Sequence, residues 1–102
     1  MKLFVDDLRD PPDQTWVVAR SSEIALKMCS SVWPRELALD HDLGGEDTVM
    51  IFLKGLYELW DGKRPIPSWN VHSGNPVGKK NIESYMKSWE KSRCRETRDE
   101  VE

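Results

Sequence analysis

Short apolar stretches alternate along the chain with longer stretches in which apolar residues recur every three or four positions. The short stretches lie at residues 2–5, 15–19, 36–39 and 69–71, and their Val, Leu, Phe and Trp content is typical of β-strands. The longer stretches predict amphipathic helices between residue 22 and Pro34, from Val49 to Trp60, and after Gly78. The predicted order is therefore strand, strand, helix, strand, helix, strand, helix.

Proline and acidic residues set the boundaries of these elements. The segment Asp10-Pro11-Pro12-Asp13 can continue neither a helix nor a central strand, so a loop should join the first two strands. Ser21 or Ser22 can cap the first helix, and Glu46 and Asp47 are acids suited to the start of the second.

Strands that alternate with helices predict a mostly parallel sheet with helices packed on its faces. We therefore expect an α/β fold, a small three-layer sandwich around a four-stranded, mostly parallel sheet covered on both sides. The length of 102 residues fits one domain. We assign the domain to residues 1–92 and expect the charged residues 93–102 to form a fraying tail.

Composition and charge restrict the partners. A formal net charge of −3 argues against broad attraction to nucleic acid or to a membrane, and no apolar run approaches the roughly 18 residues that span a bilayer. Asp6 and Asp7 come too early for a signal peptide, so we expect a cytoplasmic protein. Cys29 and Cys94 lack metal-ligand spacing; we interpret Cys29 as a core residue and Cys94 as an exposed thiol.

Acids and histidines follow three of the four predicted strands. They are Asp6 and Asp7 after the first strand, Asp40, His41 and Asp42 after the third, and His72 after the fourth. Ligands of open parallel sheets bind outside the carboxyl ends of the strands. We therefore expect these residues to gather into one functional site.

The carboxylates in this set suggest a metal. Several carboxylates held close together repel one another, and oxygen ligands of this kind favour Mg²⁺, Mn²⁺ or Ca²⁺. We predict Asp6, Asp7 and Asp40 as the preferred ligands and Asp42 as a further one, with Mg²⁺ or Mn²⁺ as the cofactor. Zn²⁺ held by the histidines is a less favoured alternative, because no tight His or Cys spacing supports it.

The remaining polar residues suggest chemistry on a phosphate. His41 and His72, the only histidines, can transfer protons near neutral pH, and we name them with Asp40 as catalytic candidates. The candidates for binding the phosphate are Arg9, Ser73, Asn75 and Lys79. Lys79 begins the last predicted helix, whose N-terminus attracts anions. Solvated lysines at an ordinary helix start are the alternative.

These residues resemble the receiver domain of two-component signalling. By that resemblance Asp6 and Asp7 match the acid pair, Asp40 matches the aspartate that accepts a phosphoryl group, and Ser73 matches the hydroxyl position. This chain has the Pro11-Pro12 loop in place of the first receiver helix, and the fifth strand with its lysine has no counterpart. The resemblance implies a truncated receiver-like, flavodoxin-like topology.

A closer resemblance is to the cyclic-phosphate-processing receiver-like family. It rests on three segments: Asp6-Asp7-Leu8-Arg9, Leu39-Asp40-His41-Asp42-Leu43-Gly44, and Val71-His72-Ser73-Gly74-Asn75-Pro76-Val77-Gly78. The resemblance covers residues 1 to about 90 and implies action on cyclic phosphates, such as RNA 2′,3′-cyclic phosphate ends.

Three functions follow as hypotheses. The first is a metal-dependent phosphoesterase whose partner is a small nucleotide or an RNA end. The second is a module that sequesters a nucleotide or cyclic nucleotide without cutting it. The third, a phospho-accepting switch, is least favoured because the lysine-bearing strand is missing.

Overall fold

The computed structural model describes the backbone of residues 1–101 and the side chains of residues 1–93. The strands are β1 (Lys2–Val5), β2 (Trp16–Ala19), β3 (Glu36–Leu39) and β4 (Ser68–Val71), and the helices are α1 (Ser22–Ser31), α2 (Val49–Leu59) and α3 (Pro76–Val101). All seven predicted elements are present in the predicted order. The boundary placed at residue 92 falls within α3. The side chain of Cys94 lies outside the described residues, so the tail and the exposed thiol stay predictions.

The four strands form one parallel sheet in the order β2-β1-β3-β4. This confirms the predicted four-stranded sheet and its truncated receiver-like topology. The register aligns the last residues of the strands, Val5, Ala19, Leu39 and Val71. Residues that follow the strands therefore reach the same edge of the sheet at the same level.

All three helices pack on one face of the sheet. The connections β2–α1–β3 and β3–α2–β4 run across the sheet in the same direction, and right-handed crossovers then place both helices on the same side. Side chains of all three helices share one buried cluster with four residues of the central strands, Leu3, Val5, Leu37 and Leu39. None of the described helices is long and apolar enough to cross a membrane.

None of the described helices packs on the opposite face of the sheet, and side chains cover this face instead. Phe4 and Ala38 alternate with the core residues of their strands and so point away from the helices. A β1–β2 helix would have covered this side, but Pro11 and Pro12 occupy that connection. Phe4 is buried instead against the ring of His72, at 4.6 Å between centroids and 7° between planes. The helices expected on both faces are therefore found on one only.

Candidate functional site

Three of the predicted acids meet at the carboxyl edge of the sheet. Asp6 and Asp7 follow β1, Asp40 follows the adjacent β3, and one carboxylate oxygen from each lies within 4.8 Å of the others. The hydrogen bonds from the Asp6 amide to Ala19 and from the Asp40 amide to Val5 extend the sheet ladder by one residue, which fixes both positions. The sheet order brings the three together, because β1 and β3 are neighbours.

Asp6 is the buried member of this group, with no exposed surface. Its Oδ1 accepts the backbone amides of Leu8 and Arg9, both at 2.9 Å, and its Oδ2 lies 3.0 Å from His72 Nε2. Burial favours the neutral acid, but these amides and the imidazole outweigh burial and hold the pKa of Asp6 below its ordinary value. Asp6 therefore carries a negative charge at neutral pH.

A cleft of about 540 Å³ opens beside the acids. Its walls come from the segments that follow β1, β3 and β4, namely Asp7, Leu8, Arg9, Asp40, Asp42, Gly44, Gly45, Ser73, Gly74 and Asn75. A volume of this size is typical of sites for small molecules. The cleft presents three carboxylates and one guanidinium group to a ligand.

His72 contacts Asp6 and does not line the cleft. Its ring lies flat on Phe4, and its Nε2 faces the Asp6 carboxylate. About a quarter of the side chain is exposed (23%). The structure thus places His72 against the Asp6 carboxylate, where it orients Asp6, and outside the cleft lining.

His41 belongs to a network that joins the segment after β3 to α3. Its Nδ1 lies 2.9 Å from Asp42 Oδ1, and Asn75 Nδ2 donates to Asp42 Oδ2 at 3.2 Å. These two contacts, that of His41 first, hold the pKa of Asp42 below its ordinary value. The His41 ring packs against Gly78, where a Cβ atom would come within 2.4 Å of His41 Cγ. Asp42 lines the cleft but is not in the group formed by Asp6, Asp7 and Asp40.

Helix α3 begins earlier than the sequence analysis predicted, at Pro76 instead of after Gly78. Asn75 caps it, since its Oδ1 accepts the amides of Val77 and Gly78 at 3.1 Å each. Proline is favoured at the first helical position because it has no amide to satisfy. Two of the amides expected to attract an anion are therefore bound within the chain. The exposed Lys79 lies in the first turn, outside the cleft lining.

Arg9 and Ser73 line the cleft, and each is also held by the backbone. Arg9 donates from its guanidinium to the carbonyl of His72 at 2.7 Å, which ties the segment after β1 to the end of β4. Ser73 Oγ accepts the amide of Asn75 at 3.1 Å. Both side chains keep donors with which to contact a phosphate, because a guanidinium carries five N–H groups and a hydroxyl carries its own hydrogen.

Two contributions to the site were not assigned from the sequence. Arg20 donates to the carbonyls of Asp6 and Arg9 and pairs with Asp10 at 2.8 Å. It thereby holds the loop that carries the acid pair. Gly44 adopts φ +95°, and a Cβ there would lie 3.4 Å from Asp7 Oδ2. Two consecutive glycines after an acidic segment were the available signal for this left-handed backbone conformation.

One comparison with known proteins supports this architecture. The family model of the cyclic-phosphate processing receiver domain matches residues 1–88, a range that includes every residue lining the cleft. Neither the curated proteins nor the solved structures gave a match. The chain therefore belongs to the family of cyclic-phosphate processing receiver domains.

Proposed function

We propose that the protein is a metal-dependent phosphoesterase that opens cyclic phosphates, with RNA 2′,3′-cyclic phosphate ends or cyclic nucleotides as substrates. One observation supports this most strongly: carboxylates from two adjacent strands converge within 4.8 Å beside an open cleft. The family to which the chain belongs supports the cyclic-phosphate part of the proposal.

The residues fit a divalent cation of the Mg²⁺ type. Asp6, Asp7 and Asp40 offer only oxygen ligands, which Mg²⁺ and Mn²⁺ prefer, and two of the three face the cleft. When bound, the cation supplies positive charge that polarises a phosphate oxygen. Arg9 and Ser73, which also line the cleft, would contact the other phosphate oxygens.

The histidines act through their carboxylate partners in this proposal. His72 fixes the orientation of Asp6, and His41 fixes that of Asp42, so both are positioning residues. Asp40 faces the cleft directly and is the catalytic candidate that can contact the attacking water. Attack of this water on phosphorus forms one P–O bond and breaks one ester bond of the ring. The proton lost by the water ends on the leaving ester oxygen, so the products are a phosphomonoester and a free hydroxyl in one molecule.

The test is turnover of 2′,3′-cyclic nucleotides and of RNA carrying a 2′,3′-cyclic phosphate end, in Mg²⁺ or Mn²⁺, with products identified by mass. Asp40→Asn should lower kcat/KM by at least about a hundredfold, because it removes a charge at the reacting phosphate. His72→Ala should lower it as well, since Asp6 loses its partner.

Asp61→Asn is the matched control. Asp61 lies after α2, away from the cleft lining, and its Oδ1 accepts two backbone amides that asparagine can also accept. This variant should keep wild-type kcat/KM within about twofold. Unchanged activity in both Asp40→Asn and His72→Ala would refute the proposed role of the site.

One observation favours sequestration of a nucleotide as the second candidate. Among the described residues, neither histidine lines the cleft, so no imidazole is in a position to exchange a proton with a ligand bound there. Tight binding of a cyclic nucleotide that is recovered chemically intact after long incubation with metal would select this function over hydrolysis.

A further inference from the structure

Leu8 is the most exposed large hydrophobic side chain among the described residues, at 84% of its surface. It lines the cleft between Asp7 and Arg9. Neither a cation nor a phosphate gains from an aliphatic side chain, which offers no charge and no hydrogen bond. A leucine in this position therefore needs a different explanation from its polar neighbours.

The backbone at Leu8 is held on both sides. The amides of Leu8 and Arg9 donate to the buried Asp6 Oδ1, and Arg20 donates to the carbonyls of Asp6 and Arg9. The leucine is thus presented to solvent from an anchored turn. A ligand that covers Leu8 gains apolar burial without first having to order the loop.

Other parts of the wall leave room for a bulky group. Gly45 and Gly74 line the cleft, and a Cβ atom built at either position meets nothing within 4 Å. A volume of about 540 Å³ also exceeds the needs of a phosphate and its cation alone. The cleft thus combines an acidic centre, open glycine walls and a single large apolar surface.

We propose that Leu8 is the contact surface for the base of a nucleoside phosphate, so that the ligand is a nucleotide and not a cyclic phosphate lacking a base. This inference rests on the proposed function for the position of the phosphate. A heteroaromatic base has an apolar face that an aliphatic side chain can cover, and such a contact distinguishes poorly between bases. We therefore expect recognition of a base without strong preference for its identity.

The experiment measures affinity in Mg²⁺ by calorimetry for two ligands, adenosine 2′-monophosphate and glycerol 2-phosphate, which carries the phosphate without a base. Leu8→Ala should weaken binding of the adenosine ligand about tenfold, because most of the apolar contact is removed. Binding of glycerol 2-phosphate should stay within about twofold. Leu59→Ala, an exposed leucine of α2 outside the cleft lining, is the control and should change neither affinity.

The outcomes separate this inference from the proposed reaction. Three results would overturn the base contact. Leu8→Ala could weaken binding of both ligands equally, it could weaken binding of neither, or the wild-type protein could bind both ligands with the same affinity. Base-dependent binding that is lost in Leu8→Ala would support it. If the same wild-type protein then leaves adenosine 2′,3′-cyclic phosphate unhydrolysed, the proposed hydrolysis fails while the base contact stands.

Discussion

At the scale of single residues, Asp6 shows how the fold sets the charge of the site. A buried carboxylate is costly in free energy unless its oxygens are hydrogen-bonded. Here two amides and one imidazole supply those bonds, and the residues that donate them lie immediately after β1 and at the end of β4. The buried charge is therefore stabilised by the same segments that form the cleft.

This arrangement predicts a specific acid sensitivity. The pKa of Asp6 is below its ordinary value of 3.8, so its ionised form stabilises the folded protein above that pH, and the stabilisation is lost as pH falls. The free energy of unfolding, measured with urea at a series of pH values, should fall more steeply between about pH 5 and pH 3 in wild type than in Asp6→Asn. Glu46→Gln, at an exposed position, should retain the wild-type slope. Parallel curves for wild type and Asp6→Asn would show that Asp6 contributes nothing to acid stability.

At the scale of elements, the start of α3 determines how the segments after β3 and β4 meet. Asn75 caps the helix and also donates to Asp42, while Gly78 lets the first turn approach the ring of His41. The helix terminus and the cleft wall are thus one hydrogen-bonded unit.

Gly78→Ala should disrupt this contact. Alanine favours a helix over glycine by about 1 kcal/mol, but its Cβ would lie 2.4 Å from His41 Cγ, so His41 or α3 must move. We expect a net loss of about 1–2 kcal/mol in the free energy of unfolding, measured by urea denaturation. Gly74→Ala, where a Cβ meets nothing within 4 Å, should change stability by less than about 0.5 kcal/mol. Equal stability of the two variants would contradict the close packing at Gly78.

Asp47 shows a second way in which elements depend on tertiary contact. The sequence placed this acid at the start of α2, but its carboxylate accepts the amide of Ser22 at 2.9 Å and the Ser22 hydroxyl, at the start of α1. Asp47 thus accepts hydrogen bonds from the first residue of α1, which lies 25 residues earlier in the chain. Such a contact follows from the packing of α1 beside α2 and has no local signal.

At the scale of the whole molecule, the segments after β1 and β3 bring a cluster of negative charge to one edge of the parallel sheet. Repulsion among Asp6, Asp7 and Asp40 opposes folding, and a bound cation removes it. Under the proposed function, Mg²⁺ at a hundredfold its Kd should raise the free energy of unfolding by about 2.7 kcal/mol. Chelation of Mg²⁺ should reverse this increase in the free energy of unfolding, and in Asp40→Asn the addition of Mg²⁺ should raise it only slightly. Urea unfolding with and without Mg²⁺ measures this, and an identical response in both proteins would exclude Asp40 as a ligand.

The amino-acid pattern alone was enough to predict the order of the elements, the parallel sheet and the segments that form the site. Strand and helix periodicities are local, and parallel strands bring their carboxyl ends to one edge, so the sequence alone groups Asp6, Asp7 and Asp40. The tertiary structure was needed to show that the helices share one face, that Asn75 caps α3, and that each histidine contacts a carboxylate. Those outcomes depend on crossover direction and on contacts between segments up to 66 residues apart, such as Asp6 with His72, which no local pattern encodes.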